Sequence, residues 1–214
     1  KVKAIAPFIE TQAMLQSNIS NSFGIVQGID PSLQKNISPL SKNMIKGKLT
    51  DLDKTRFGII LGDELAKQLG VIVGEKITIV VPKLSSGPIG MVPRLKQFTV
   101  IGEFHSGYQY DSSYSYINLK DAQILNDMKN KVTGLEVKAT DLYLAPVLAK
   151  EINEIPGLYA TSWTSQNAAF FQALKMEKIM MMLILILIIA VAAFNMLSSL
   201  VMLVTTPYLG AVRR

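Results

Sequence analysis

Residues Ile179 to Val204 read IMMMLILILIIAVAAFNMLSSLVMLV, a run of 26 residues without a charge. At 1.5 Å rise per residue, a helix needs about 20 apolar residues to cross a ~30 Å hydrocarbon core. This run is long enough to span with some tilt. The 178 residues before it have the make-up of a water-soluble mixed domain. The sequence therefore describes a folded domain docked to a membrane through its C-terminal end, and its function is to be sought at a membrane surface.

Composition narrows the classes that remain. The chain has 214 residues and a net charge of +6, with its Lys and Arg residues scattered. Nucleic-acid binding favours clustered basic charge with interleaved aromatics, which is missing here. A solvated basic surface, with mild attraction to anionic headgroups, fits better. The absence of cysteine excludes structural disulfides and thiol catalysis and leaves the compartment open. No signal-peptide pattern opens the sequence, so it is expected to be a piece of a longer protein whose upstream part exports it.

Strand and helix signals alternate with hairpin-like pairs, which predicts an α+β domain. Val2 to Leu15 reads as a strand with a turn at Pro7, and Ser22 to Asp30 as a buried strand ended by a turn at Asp30–Pro31. A short helix is expected after Ser38. Gly58 to Gly62 is a strand, followed from Asp63 by a helix with Leu65 and Leu69 inward and Gly70 closing it. Lys76 to Val81 and Gln97 to Phe104 are strands. Tyr114 to Asn118 is a strand leading to a helix near Asp121, and Gly134 to Asp141 is another strand. Leu144 to Ile155 is an amphipathic helix with Val147, Leu148, Ile152 and Ile155 on one face. Leu158 to Trp163 is expected as a last strand. A helix from about Ser165 to Val204 would be about 60 Å long and act as a stalk, with Pro207 ending it.

One connection is unusual. Pro82 to Pro93 reads PKLSSGPIGMVP, twelve residues between two adjacent strands. Such strands are normally joined by two to five residues. Prolines stiffen the segment, Gly87 and Gly90 let it bend, and Leu84, Ile89, Met91 and Val92 make it apolar.

Catalytic signals are weak. The single histidine, His105, has no partners at metal-ligand spacing and no nucleophile beside it, so it reads as structural. The glycines form neither GxGxxG nor Walker A. Asp51, Asp53, Asp63 and Glu64 sit where helix caps and turns explain them. Tyr108, Tyr110, Tyr114 and Tyr116 read as core or edge packing. The chain is expected to have no catalytic residue, cofactor or metal. Within the span, Asn195, Ser198 and Ser199 form one polar stripe beside Ala190, Ala192 and Ala193. Such residues bond to their own helix or to a neighbour; a helix–helix contact is the reading preferred.

Three segments carry a resemblance: Phe170 to Val204 with its AAFN…SSLVMLV stretch, Val81 to Phe104, and more weakly Gly58 to Val80. In them the chain resembles the LolC/LolE family, the membrane subunits of the bacterial lipoprotein-releasing ABC transporter, and more loosely the MacB/FtsX group of permeases. The resemblance implies a MacB-like periplasmic α+β domain of two interlocked subdomains over residues 1–164. A stalk helix over 165–178, a transmembrane helix over 179–204 and a short cytoplasmic tail over 205–214 would follow. It implies the bacterial inner membrane as location and lipoprotein as cargo. The implied partners are a soluble LolA-like carrier, a LolD-like ATPase that hydrolyses ATP, and a second permease subunit. The Pro-bracketed loop 82–93 would be the hook that recruits the carrier. Gly87, Pro88, Ile89, Gly90 and Met91 would form its tip and apolar contacts, with Arg94 and Lys96 at its base meeting acidic groups. The loop favours a LolC-type or hybrid subunit. The family's first, third and fourth membrane helices have no counterpart in the sequence, which suggests a fragment or truncated product. An FtsX- or MacB-like module that regulates an envelope partner is the competing reading.

Overall fold

The computed structural model describes residues 1–82, 93–107 and 110–211, with side chains through residue 204. The chain divides into two compact units, Lys1–Leu142 and Tyr143–Arg214.

The first unit is organised by hydrogen bonding around one ring of strands. β1 (Val2–Gln16) and β2 (Asn21–Ile29) form an antiparallel hairpin, with Phe8 opposite Ile29 and Gln16 opposite Asn21. β2 pairs in parallel with β7 (Tyr114–Asn118), which pairs antiparallel with β4 (Gly58–Gly62). β4 runs parallel to β6 (Arg94–Phe104), β6 antiparallel to β5 (Lys76–Val81), and β5 antiparallel to β1. The six strands close on themselves as a barrel, a solution that removes unpaired edges. Two strands lie off the ring. The short β3 (Met44–Lys46) adds to β6, and β8 (Gly134–Ala139) adds to the first half of β1.

The hydrophobic pattern explains the closure. In β5, Ile77, Ile79 and Val81 alternate inward, and Phe98 and Val100 do the same from β6. β4 is buried throughout: Ile59 and Leu61 join the main cluster with Ile9, Leu15 and Leu65, while Ile60 joins a smaller cluster with Leu40, Leu52 and Phe104. Each fully buried side chain of this size contributes about 1.5–3 kcal/mol relative to exposure. Helix α3 (Asp63–Leu69) buries Leu65 and Leu69 and ends on Gly70 at φ 65°, as the sequence predicts. α5 (Leu119–Asn126) starts two residues before the expected Asp121, because the Asn118 side chain caps it from the end of β7.

Three expectations for this unit are corrected. β1 continues through Pro7 without a turn. The Phe8 carbonyl accepts from Thr133 N on the β8 side, so Pro7 directs its nitrogen the other way. The last pair with β2 is Phe8 with Ile29; a missing donor is harmless there. Asp30–Pro31 does not merely turn the chain: α1 (Pro31–Ile37) begins there, with Asp30 Oδ1 accepting from Ser32 N at 2.9 Å and proline at the first helical position. β6 begins at Arg94 rather than Gln97, because its pairing with β5 extends to Val81 opposite Arg94. The helix after Ser38 is present as a 3-10 turn over Pro39–Lys42, and α2 (Asp51–Lys54) and α4 (Tyr110–Ser113) complete the unit.

In the second unit, α6 (Ala145–Asn153) is present as expected. The strand expected over 158–163 is absent. Asn153 takes both backbone groups of Ala160, donating from Nδ2 to its carbonyl at 2.9 Å and accepting its N–H at 2.7 Å. Bonds that a ladder would use are thus satisfied locally. Trp163 opens α7 (Trp163–Gln166) on a capping box from Ser162. Asn167 interrupts the expected continuous stalk, and α8 (Ala168–Ala211) then runs for 44 residues. α8 passes through Pro207 instead of stopping there. A proline removes one intrahelical donor at a cost of ~3 kcal/mol, and prolines are tolerated in helices that span a membrane. The charged residues of α8, Lys175, Glu177 and Lys178, precede the uncharged run from Ile179; its most apolar 18-residue stretch has a mean hydropathy of 2.8, and the helix is long and apolar enough to cross a membrane.

Candidate partner-binding site

The register of β5 and β6 fixes how the unusual connection leaves the domain. Val81 lies opposite Arg94, and neighbouring strands lie ~4.8 Å apart. Pro82 and Pro93, the two ends of the connection, therefore adjoin neighbouring strands. Gly87, Pro88, Ile89, Gly90 and Met91 lie outside the described residues; Pro82, Pro93, Arg94 and Lys96 lie within them.

The root of the connection is held by side chains from distant segments. Arg94 Nη2 meets Asp127 Oδ2 at 2.8 Å. Asp127 sits in the left-handed region (φ 56°) where α5 ends, its N–H bonded to the last turn. Two residues on, Lys96 Nζ lies 4.2 Å from the centroid of the Phe57 ring, with Arg56 also over it. Phe57 itself is left-handed (φ 55°), and its ring meets Phe98 edge-on at 5.5 Å. Its N–H donates to Asp121 Oδ2 at 2.8 Å. Asp121 is almost fully buried. Burial pushes its carboxyl above the usual carboxylate range, against the opposing pull of the Phe57 N–H, Arg56 and Lys96.

Arg94 and Lys96, which the resemblance directs toward acidic groups of a carrier, are thus engaged within this chain by Asp127 and by an aromatic face. Sequence reasoning missed Asp121, Asp127 and Phe57. Asp121 in a first helical turn looks like an ordinary cap, and no local signal announces the conformation of Phe57.

Beside the root lies a groove of about 610 Å³, bordered by Met14 of β1, Phe23 and Ile25 of β2, Val80, and the two bracketing prolines Pro82 and Pro93. Gln12 and Ser113 are its polar members among the described residues, and no described lining residue is ionisable. Gly24 is required here: a Cβ on it would lie 2.8 Å from the Ser113 carbonyl oxygen. A surface of this kind suits apolar contact rather than proton transfer.

A second cluster lies at the other end of β6. His105 Nδ1 lies 3.3 Å from Asp63 Oδ1 and 3.0 Å from Asp111 Oδ2. These three could in principle offer ligand atoms to a metal ion. Asp111, however, already accepts from Ser106 N and Gly107 N at 2.7 and 2.8 Å, and both carboxylates share one ring nitrogen. The cluster works as a clasp between α3 and the turn before α4. Burial pushes the Asp63 carboxyl up, but hydrogen bonds from His105 and Lys67 outweigh it and hold it below the usual range. The partners lie 42 and six residues from His105, so sequence spacing could not reveal them.

The remaining candidates fall as their local contexts suggest. Asp51 accepts from Lys48 N at 3.0 Å and Asp53 from Asn118 Nδ2 at 2.9 Å. Tyr114 and Tyr116 pack against the smaller cluster, and Tyr110 stacks on Tyr114; Tyr108 lies outside the described residues. Asn195, Ser198 and Ser199 lie exposed on one stripe of α8.

Comparison with known proteins follows the same lines. The chain is 41% identical over 211 residues to a lipoprotein-releasing system transmembrane protein LolC of Neisseria meningitidis serogroup B, covering 95% of this chain and 50% of that one. To the LolC of Xylella fastidiosa it is 38% identical over 208 residues, covering 96% and 50%. The chain thus spans about half the length of these relatives. Among solved structures, the extracellular domain of the noncanonic ABC-type transporter YknZ from Gram-positive bacteria aligns with a TM-score of 0.47 and 13% identity, over 72% of this chain and 75% of that one. The MacB-like periplasmic core domain matches residues 1–155. The α+β unit built on β1–β8, followed by a helix able to span a bilayer, accordingly belongs to the MacB-like periplasmic core domain family and resembles the LolC proteins over nearly its whole length.

Proposed function

We propose that the chain is the periplasmic domain and an adjoining membrane helix of a lipoprotein-releasing ABC transporter subunit of LolC type, acting at the bacterial inner membrane. The observation that carries this reading is 41% identity to a LolC over 95% of this chain, in a sequence with twelve residues between the adjacent strands β5 and β6. The connection recruits a LolA-like carrier, with Gly87 to Met91 as its contact surface and Arg94 and Lys96 at its base. A proline-stiffened connection fixed at both ends loses less freedom on binding than a free loop, which raises affinity without new contacts. The domain over 1–164 lies in the periplasm, the stalk over 165–178 connects it to the span over 179–204, and residues 205–214 reach the cytoplasm. A LolD-like ATPase and a second permease subunit complete the transporter, and lipoprotein is its cargo. ATP hydrolysis belongs to that ATPase, and this chain transmits the motion.

The test is carrier binding by the full chain in nanodiscs, followed by calorimetry with the LolA-like carrier of the same organism. Deleting Ser85–Met91, or making Pro88→Ala/Ile89→Asp, is expected to abolish binding. Binding unchanged by both variants would place the docking surface elsewhere, and no binding by the parent chain would favour the FtsX- or MacB-like regulatory reading.

A further inference from the structure

One face of the β1–β8 ribbon is an exposed apolar surface. Ile5 lies opposite Val137, Pro7 opposite Leu135 and, across a bulge at Lys3, Val2 opposite Ala139. Cross-strand partners share a face, so these six side chains form one strip. Val2 is 45% exposed, Ile5 49%, Leu135 61% and Val137 37%. The opposite face is covered by α1: Gln34 Nε2 donates to Glu136 Oε2 at 3.3 Å and Lys138 Nζ to the Asn36 carbonyl at 3.2 Å. The strip therefore follows from the alternation of both strands, with the polar residues of β8 turned toward α1 and the apolar ones left outside.

Charge around the strip has a sign. Lys3 stands at one end, and Lys129 and Lys131 precede β8 at the other, all exposed. The exposed acidic residues closest in sequence are Glu10, Asp127 and Asp141, and Asp127 is paired with Arg94. An apolar ridge with an excess of lysines at its ends matches a surface that is apolar below and anionic at its rim. A phospholipid interface with acidic headgroups is such a surface, and each lysine near it strengthens attachment about fivefold. The chain also carries α8, which is long and apolar enough to bring a bilayer with it.

We propose that the β1–β8 strip is a bilayer-docking face, with Val2, Ile5, Leu135 and Val137 seated at the interface of an anionic membrane and the flanking lysines on its headgroups. Such a contact would hold the first unit at the membrane by a second attachment, separate from α8. It does not depend on carrier recruitment.

The chain contains no cysteine, so a single introduced thiol can be labelled uniquely. The full chain, as Leu135→Cys or Val137→Cys carrying an environment-sensitive fluorophore, is reconstituted into phosphatidylcholine vesicles with or without phosphatidylglycerol. Ile19→Cys is the control: it is exposed at the tip of the β1–β2 hairpin, about 45 Å along β1 from Val2. Spin-labelled lipid should quench residues 135 and 137 several-fold more than residue 19. The difference should shrink without phosphatidylglycerol and on Lys3→Glu or Lys131→Glu. Quenching at 135 and 137 no greater than at 19 overturns the proposal. A fluorophore shielded from water yet not quenched by lipid overturns it equally, by assigning the strip to a protein contact. Quenching indifferent to phosphatidylglycerol overturns the role given to the lysines.

Discussion

Gly28 offers the sharpest test of how the barrel positions the root of the connection. It lies in β2 between Ile9 of β1 and Ile117 of β7. A Cβ placed on it would fall 2.2 Å from the Ala122 Cβ and 3.6 Å from the Leu119 Cα. Ordinary carbon contacts are about 3.5–4.0 Å, so α5 would have to retreat by roughly 1.5 Å. It has little room to do so: Asn118 caps its start from the end of β7, Asp121 binds the Phe57 N–H, and Leu125 is buried in the main cluster. Overpacking at such sites costs about 1–3 kcal/mol, and this clash, between a strand and a helix that are both anchored, belongs at the upper end. Gly28→Ala is expected to destabilise the first unit by about 3 kcal/mol. Ala122→Gly should cost about 1–2 kcal/mol, from glycine in a helix and one lost buried methyl. Adding Gly28→Ala to Ala122→Gly should then cost almost nothing, giving a coupling of about 2–3 kcal/mol. The assay is urea unfolding of residues 1–142, followed by far-ultraviolet circular dichroism. A single-variant cost below about 0.5 kcal/mol, or costs that simply add in the double variant, would refute the packing argument.

Two further outcomes are expected. Asp63 is held below its ordinary carboxylate value of 3.8 by His105 and Lys67, so its contribution to stability is present above that pH and is lost as pH falls through its lower folded value; Asp63→Asn should flatten the dependence of the urea midpoint on pH below 3.8, and an unchanged slope would remove the clasp from the account. Asn195→Leu should weaken association of α8 with neighbouring membrane helices about fivefold, corresponding to ~1 kcal/mol for one interhelical hydrogen bond, as read by energy transfer between labelled helices in lipid; unaltered transfer would mean that the Asn195, Ser198 and Ser199 stripe bonds to its own helix.

Much of the fold was legible because local pattern and tertiary environment agree. KITIVV alternates, and its isoleucines face the barrel. Leu65 and Leu69 at helical spacing are both buried, and Gly70 adopts the left-handed turn that glycine favours. The misreadings occur where a local signal depends on a remote partner. Pro7 is a turn signal in isolation and a tolerated strand residue once its nitrogen is known to face past the end of β2. LYATSW has the composition of a strand, but Asn153, seven residues before Ala160, satisfies the backbone groups a strand would need. Asp30–Pro31 signals a turn and equally a capped helix start, and only the bonds to Ser32 and Leu33 decide between them.

The candidate site divides in the same way, and the division bears on mechanism. The connection was visible from sequence as a length anomaly between two strands, since twelve residues greatly exceed an ordinary hairpin loop. Its anchoring was invisible, because Arg94 meets a residue 33 positions later and Phe57 is bonded to one 64 positions later. The outward role of Arg94 and Lys96 comes from the family resemblance, which is silent about their partners within this chain. An exposed ion pair such as Arg94–Asp127 is worth only about 0–1 kcal/mol, so a carrier carboxylate could take the place of Asp127 at small cost. Lys96 over the Phe57 ring is similarly exchangeable, since an exposed cation–π contact is worth about 0.5–1 kcal/mol. Under the proposed carrier role, the same two side chains would hold the ends of the connection in the free chain and meet an acidic partner in the complex. The exchange would leave Phe57 still fixed from beneath by Asp121 and Phe98, so that binding alters the surface of the root without dismantling its support.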